Sequence, residues 1–291
     1  MRFKEKLIEL VMMCCSLVTI LTTISIIVVL SVDTFKFFSE VSIVDFFTDT
    51  QWTPLFSDKH FGILPLLCGT LLTTTIAILF AVPVGLVIAV YLNEYASPKF
   101  TSIVKPILET LASIPTVVYG FFALQFVTPV LRSIFPALSG FNALSPGLVM
   151  GVMIIPYITS LSEDALRAVP KTLREASYGM GATRFQTAFR VMVPAASSGI
   201  IISVILAISR ALGETMIVAI AAGQEPNLTF NPFHSVETIT TYIVQVSMGD
   251  VPQDSLEYRT IFAAGMTLFV FTFILNNISF WMRRKFQNKY E

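Results

Sequence analysis

The sequence predicts an all-α integral membrane protein with six transmembrane helices, and three observations predict it. Of 291 residues, 54% are hydrophobic and only 13% charged, about half the charged share of a soluble domain. The apolar residues gather in six runs, over 7–30, 63–92, 106–130, 145–161, 200–222 and 260–281, most of them close to the ~20 residues a helix needs to cross a bilayer. The cationic side chains, finally, concentrate on alternate connections, as the positive-inside rule requires.

Taken in order, the first run follows Arg2, Lys4 and Lys6. It is longer than a signal-peptide core and lacks a small-x-small cleavage site, so an uncleaved anchor is expected. With the polar loop 31–61 (Asp33, Glu40, Asp45, Asp49, Asp58) it forms an N-terminal unit, 1–61, ahead of a five-helix core over 62–291. The second run holds Pro83, Gly85 and a hydroxyl stripe of Thr70, Thr73, Thr74 and Thr75. Small hydroxyl residues join transmembrane helices, so the stripe reads as packing. A charged turn over 93–105 leads to the third run, broken by Pro115, and the fourth run contains Pro156. Such prolines free backbone groups and are tolerated where those groups are buried or line water. At Pro115 the flanking Ser113 and Thr116 favour a pathway wall. A long polar loop, 162–199, separates the fourth and fifth runs, and another, 223–258, precedes the sixth.

Placing the N-terminus in the cytoplasm puts Arg2, Lys4, Lys6, Lys99 and Lys105 inside. The same side receives Arg167, Lys171, Arg174, Arg184 and Arg190 from the 162–199 loop, and Arg283, Arg284, Lys285 and Lys289 from the tail. Lys36, Lys59, Arg132 and Arg259 fall outside. Both termini and the 162–199 loop are therefore expected in the cytoplasm. Trp52, Trp281, Tyr91 and Tyr258 lie near run ends and suit an interfacial aromatic belt.

Several function classes are excluded. Nineteen basic residues balance nineteen acidic ones, which gives no reason to expect nucleic acid as a partner. Cys14, Cys15 and Cys68 sit inside apolar runs without metal-ligand spacing, and His60 and His234 are isolated; neither a metal site nor a disulfide framework is expected. No Gly-Lys dipeptide exists, so no P-loop can hold ATP in this chain. Neither a nucleophile triad nor a catalytic carboxylate pair is present. A transport subunit, not an enzyme and without a cofactor of its own, is the expectation.

Two features carry chemistry. Arg210 and Glu214 lie inside the fifth run, where a charge at helix centre costs about 2.5–3.5 kcal/mol even on the lenient insertion scale. Four residues apart on a continuous helix they would share one face and pair. Arg210 offers a planar fork of donors suited to a tetrahedral oxyanion, with Glu214 holding it; a self-neutralised pair locking helices is the alternative. The second feature is the stretch 170–194 in the basic loop. Pro170 can open a helix, and Ala176, Gly179 and Gly181 leave little side-chain bulk, so a partner can approach the backbone closely.

That stretch resembles the cytoplasmic loop of ABC importer permeases. Glu175 and Ala176 begin a Glu-Ala-Ala-like triplet, with Ser177 in the third place. Gly181 follows six residues after the Glu, and Val191, Val193 and Pro194 follow ten and more after the Gly. Arg210-Ala-Leu-Gly-Glu-Thr215-Met216 and Ser113-Ile-Pro-Thr116-Val-Val-Tyr-Gly120 resemble the fifth- and third-span motifs of phosphate ABC importer permeases, and Trp52-Thr-Pro54 with Met216 points to the PstC-type subunit. The resemblance implies a type I ABC importer permease fold and a place in the bacterial cytoplasmic membrane. It implies a heterodimer with a PstA-type permease, two PstB-type ATPases that bind ATP, and a PstS-type phosphate-binding protein outside. It makes inorganic phosphate the substrate, Glu175, Ala176, Gly181, Val191, Val193 and Pro194 the ATPase-coupling segment, and Arg210 and Glu214 part of the passage, to which Ser113, Thr116 and Thr215 are added as neighbouring hydroxyls. Rival readings are a permease for sulfate or molybdate, an ion-coupled secondary transporter, and a membrane sensor that carries no flux.

Overall fold

The computed structural model describes residues 2–287 and is helical from end to end. Lys289 and the side chains of Arg2, Lys4, Arg283, Arg284 and Lys285, used in the charge count, lie outside the described residues. Among the described residues, five helices are long and apolar enough to cross a membrane, and Ser197–Leu212 passes the same test only together with Arg184–Ala195, from which it is bent by 73°.

Helix α1 (Arg2–Glu40) outruns the predicted anchor by ten residues. The expected polar loop 31–61 is thus helical in its first third, and it forms another short helix, α2 (Ile43–Thr48). The acidic residues suggested a loop; the aromatics between them decided otherwise. Phe37, Val41, Phe46 and Trp52 are buried together against the sixth span and the segment before it. Trp52 is consequently a core residue, 2% exposed and edge-on to Tyr242 at 5.0 Å, and does not belong to an interfacial belt.

The spine of the fold is α3 (Leu64–Glu94) packed along α7 (Leu144–Arg167). Glycines set their separation: a Cβ at Gly147 would lie 2.8 Å from Ile76, and one at Gly151 would lie 3.0 Å from the Ala77 carbonyl oxygen. Helices without side-chain bulk between them approach closely and gain dispersion contacts. Of the threonine stripe, Thr70, Thr73 and Thr74 are buried as expected, whereas Thr75 is exposed. Thr70 Oγ1 donates to the Leu66 carbonyl at 2.7 Å and accepts the Ile239 N–H at 3.1 Å, and Thr73 Oγ1 donates to the Gly69 carbonyl.

The expected turn at 93–105 and the third run at 106–130 are redivided. Residues 98–113 form an amphipathic helix, α4 (Pro98–Ser113), capped by the Ser97 hydroxyl. The chain breaks at Ile114-Pro115 and resumes as α5 (Thr116–Phe122), a π-helical turn at Ala123–Val127, and α6 (Thr128–Ile134). The apolar span is therefore Thr116–Ile134. A residue before proline avoids the helical region, and Ile114 is extended with φ −62°, ψ 130°. Lys105 pairs with Glu163, while Glu109 and Ala112 face Pro156 to Ser160 across a cavity, so α4 runs antiparallel to the second half of α7. Glu163 is fully buried and is held by both Lys105 and Arg167.

The 162–199 segment begins as the continuation of α7 and then turns into α8 (Lys171–Gly179). After α9 (Arg184–Thr187), a π-helical turn and α10 (Val193–Ala195), the chain bends by 73° into α11 (Ser197–Leu212). α11 stops short, and α12 (Met216–Ala221) completes the fifth crossing beside α5. The 223–258 connection contains a buried helix, α13 (Ile239–Met248), before the final α14 (Leu256–Gln287).

Two expected outcomes follow. Glu237, between the fifth and sixth spans, is 2% exposed, and burial raises its carboxyl to about 8. The folded state therefore holds a proton that the unfolded chain releases above about pH 4.5, and stability falls as pH rises from there to about 8. Glu237→Gln removes that dependence, so its thermal unfolding advantage over wild type grows between pH 5 and pH 8. Glu163→Ala strands Lys105 without its partner and lowers stability by about 3 kcal/mol, read as a lower unfolding midpoint of the solubilised chain.

Candidate functional site

The fifth crossing breaks because its sequence supplies both an ending and a new beginning. Gly213 closes α11, and Glu214 leaves the helix with its N–H still bonded to the Ala211 carbonyl at 3.2 Å. Its carboxylate then turns forward. Glu214 Oε1 accepts the backbone N–H groups of Met216 at 3.1 Å and Ile217 at 3.4 Å, the free donors at the start of α12. A carboxylate suits that end of a helix both as hydrogen-bond acceptor and as partner to the helix dipole. Thr240, on α13, donates its hydroxyl to the Glu214 carbonyl at 2.8 Å and fixes the break from the other side.

This geometry corrects the expectation that Arg210 and Glu214 pair along one helix face. No continuous helix joins them, and among the described residues no ion pair involves Arg210. Its guanidinium lies instead over the Tyr157 ring, 4.6 Å from the centroid, a cation–π contact. Its Nε is buried without a hydrogen-bond partner. An Arg without an ion pair, in a largely apolar wall, can attract an anion.

The wall belongs to a cavity of about 690 Å³ between α4, α7 and α11. Glu109, Tyr157, Ser160, Ser209, Arg210 and Glu214 contribute its polar atoms, and Pro156 and Leu206 its apolar ones. Of the predicted pathway residues, Arg210 and Glu214 share this cavity, while Ser113, Thr116 and Thr215 lie outside its lining. Ser113 Oγ donates to the Thr110 carbonyl at 2.8 Å, Thr116 opens α5, and Thr215 Oγ1 reaches the Gly213 carbonyl at 3.4 Å. Glu109 escaped the sequence reading. The signal was present, since an ionisable residue inside the run 106–130 deserved the weight given to Arg210.

The 170–194 stretch builds a second site at the opposite end of α11. Pro170 caps α8, as expected, and no residue of α8 is buried. Arg174 anchors it: Nη2 donates to Asn93 Oδ1 at 2.7 Å and pairs with Glu94 at 2.8 Å, at the end of α3. Ser177, where the resembled motif has Ala, shares a 2.9 Å hydrogen bond with Thr187. Gly181 has φ +82°, a backbone region closed to most side chains, which is why a glycine stands there. Thr183 and Gln186 then form a capping box, and Met192 and Ala188 bury this segment against α3 and α7. Glu175 and Ala176 remain exposed, Val191 and Val193 are half-buried, and Pro194 is the second residue of α10. Met180 is 88% exposed, and Phe185 and Phe189 stack at 4.7 Å on the outer surface. These exposed apolar residues, also missed in the sequence, follow α8 closely in the chain.

Separating the two jobs of the break is straightforward. Glu214→Gln keeps an acceptor oxygen for Met216 and Ile217, whereas Glu214→Ala loses it, at a cost of about 1 kcal/mol. The Ala variant is expected to unfold at lower temperature than the Gln variant in the solubilised chain.

Comparison with known proteins agrees with this architecture. Residues 81–289 match the family described as "Binding-protein-dependent transport system inner membrane component". The "Probable ABC transporter permease protein YqgH" of Bacillus subtilis is 35% identical over 91% of this chain and 86% of its own. The "Phosphate transport system permease protein PstC" of Mesorhizobium japonicum is 34% identical over 81% and 77%. Among solved structures, a bacterial alginate ABC transporter aligns over 94% of both chains with a TM-score of 0.65 at 17% identity, and the MetNI methionine transporter with 0.56 at 19%, over 77% of this chain and 94% of its own. The chain is a multi-pass inner-membrane component of the binding-protein-dependent transport family, and within that family it belongs with the PstC-type permeases.

Proposed function

We propose that this chain is one permease subunit of an ATP-driven importer and that inorganic phosphate is its substrate. The observation that carries the reading is Arg210: a permanently charged fork that forms no ion pair among the described residues, on the wall of a mostly apolar cavity halfway along the fifth crossing. Relatives named PstC, similar over most of their length, support phosphate over sulfate or molybdate. The fold shared with importer permeases disfavours an ion-coupled secondary transporter.

The mechanism uses the two sites in series. Both termini and α8 face the cytoplasm, consistent with the clustering of Lys and Arg. A PstA-type permease covers the open face of the cavity, two PstB-type ATPases supply the ATP-driven stroke, and a PstS-type protein delivers phosphate from outside. Glu175, Ala176 and Gly181, with the Met180 and Phe185 patch, seat one ATPase. Val191, Val193 and Pro194 carry its displacement through the 73° bend into α11, and Arg174 carries it into α3. Arg210, at the far end of α11, meets phosphate with parallel N–H donors and alternates between the two sides. Glu214 acts indirectly, by holding the break that ends α11 just beyond Arg210.

The decisive assay is labelled phosphate uptake in cells lacking their own high-affinity system, with the chain co-expressed with its partners at matched membrane levels. Arg210→Ala is expected to cut uptake about 100-fold, the scale of losing a desolvated charge pair, and Glu214→Ala added to it does not restore transport. Restoration in the double variant, or wild-type uptake insensitive to Arg210, overturns the reading. Gly181→Val, forced into positive φ, is expected to lose co-purification of the ATPase while the permease remains in the membrane.

A further inference from the structure

The cavity around Arg210 holds more negative than positive charge, an odd composition for a chamber that receives an anion. Arg210 supplies the single cation, and both Glu109 and Glu214 stand on the same lining. Glu214 is occupied by the backbone of α12. The nearby acids toward the α8 end are also occupied: Glu163 by Lys105 and Arg167, and Glu94 by Arg174. Glu109 is different. It projects from α4 into the cavity and, among the described residues, takes part in no hydrogen bond or ion pair. Glu109 is exposed on the open wall of the cavity, and once a partner subunit covers that wall its carboxylate faces an incoming dianion and repels it.

The repulsion disappears for one class of oxyanion. A tetrahedral anion that still carries a proton presents a hydroxyl donor to the carboxylate while its bare oxygens face the guanidinium. At neutral pH phosphate and arsenate carry at least one such proton, and sulfate and molybdate carry none. We propose that Glu109 is a specificity-determining residue, whose carboxylate accepts the hydroxyl hydrogen of protonated phosphate while Arg210 donates to the opposite oxygens. Two lone-pair-bearing groups confront each other when sulfate enters, and the site rejects it. Sites built to hydrogen-bond a substrate hydroxyl discriminate steeply against an analogue that lacks it, because the site's own polar group is then left unpaired. The Ile114-Pro115 break allows this placement: it ends α4 early, so that Glu109 on its last turns meets Tyr157 and Ser160 instead of running past them.

The proposal rests on the phosphate reading above, and the two fail separately. The transporter is purified with its partner permease and ATPases but without the binding protein, so that only the membrane site selects. Equilibrium binding of labelled phosphate and labelled sulfate is measured through the millimolar range, with arsenate as competitor. Wild type is expected to prefer phosphate by about 100-fold or more, with arsenate competing. Glu109→Gln, neutral and able to donate, brings the preference below about tenfold by weakening phosphate and admitting sulfate. Glu109→Ala does the same by removing the carboxylate altogether. Co-purification of the ATPases verifies assembly of each variant. A phosphate-to-sulfate preference that stays within twofold of wild type in both variants overturns the role of Glu109, as does a wild-type complex that binds the two anions equally or binds no phosphate. Loss of phosphate uptake in the intact wild-type system, by contrast, overturns the importer reading itself.

Discussion

The carboxylate of Glu214 is the constraint on which the rest of the molecule depends. A helix interrupted in hydrocarbon exposes backbone groups that water cannot satisfy, so a break is possible only where the protein brings its own partner. Here that partner lies in the break itself, on the N–H groups of Met216 and Ile217, with Thr240 bonded to the Glu214 carbonyl behind it. Because the ladder is interrupted there, α11 can end with its last turn facing the cavity, α12 can turn to lie along α5, and Arg210 forms no ion pair among the described residues although Glu214 lines the same cavity. A continuous helix through 210–214 would have neutralised the cation.

Charge placement separates framework from chemistry. Buried or half-buried acids near the α8 end are tied to cations from another helix or another turn, as Glu163 is to Lys105 and Glu94 to Arg174. Such pairs add little net stability, since desolvation offsets much of their attraction, but they fix which helix lies beside which. Arg210 and Glu109 follow neither pattern. Both face open volume, and the guanidinium lies over the Tyr157 ring.

Much of this was legible in the sequence. Hydropathy located the spans, and the spacing from Glu175 to Pro194 singled out a segment that folds as a series of short helices between the fourth and fifth spans, because bilayer thickness and backbone conformation impose fixed lengths and a glycine at φ +82°. What hydropathy averages cannot register is interruption. The run 200–222 looked continuous, since Gly213 to Thr215 is too short to lower a window, so the Arg210–Glu214 pairing was inferred from helical geometry that does not exist. The run 106–130 hid a comparable break at Pro115, and with it the position of Glu109. The segment 31–61 failed for the opposite reason: its acids argued for solvent, whereas Phe37, Phe46 and Trp52 were already committed to a core supplied by residues 200 positions away.

The length of α1 has a mechanical corollary. Thirty-nine residues of helix extend ~58 Å, about twice the hydrocarbon thickness, while only its second half contacts α14 and α13. Tilt alone does not absorb such an excess. The end bearing Phe37 therefore stands clear of the bilayer as a buttress, braced by α2 and by the pair between Glu40 and Arg259. On that side the chain presents a rigid helical shoulder, with Phe37 packed into a core shared with α13 and α14, in place of the loop its acids suggest.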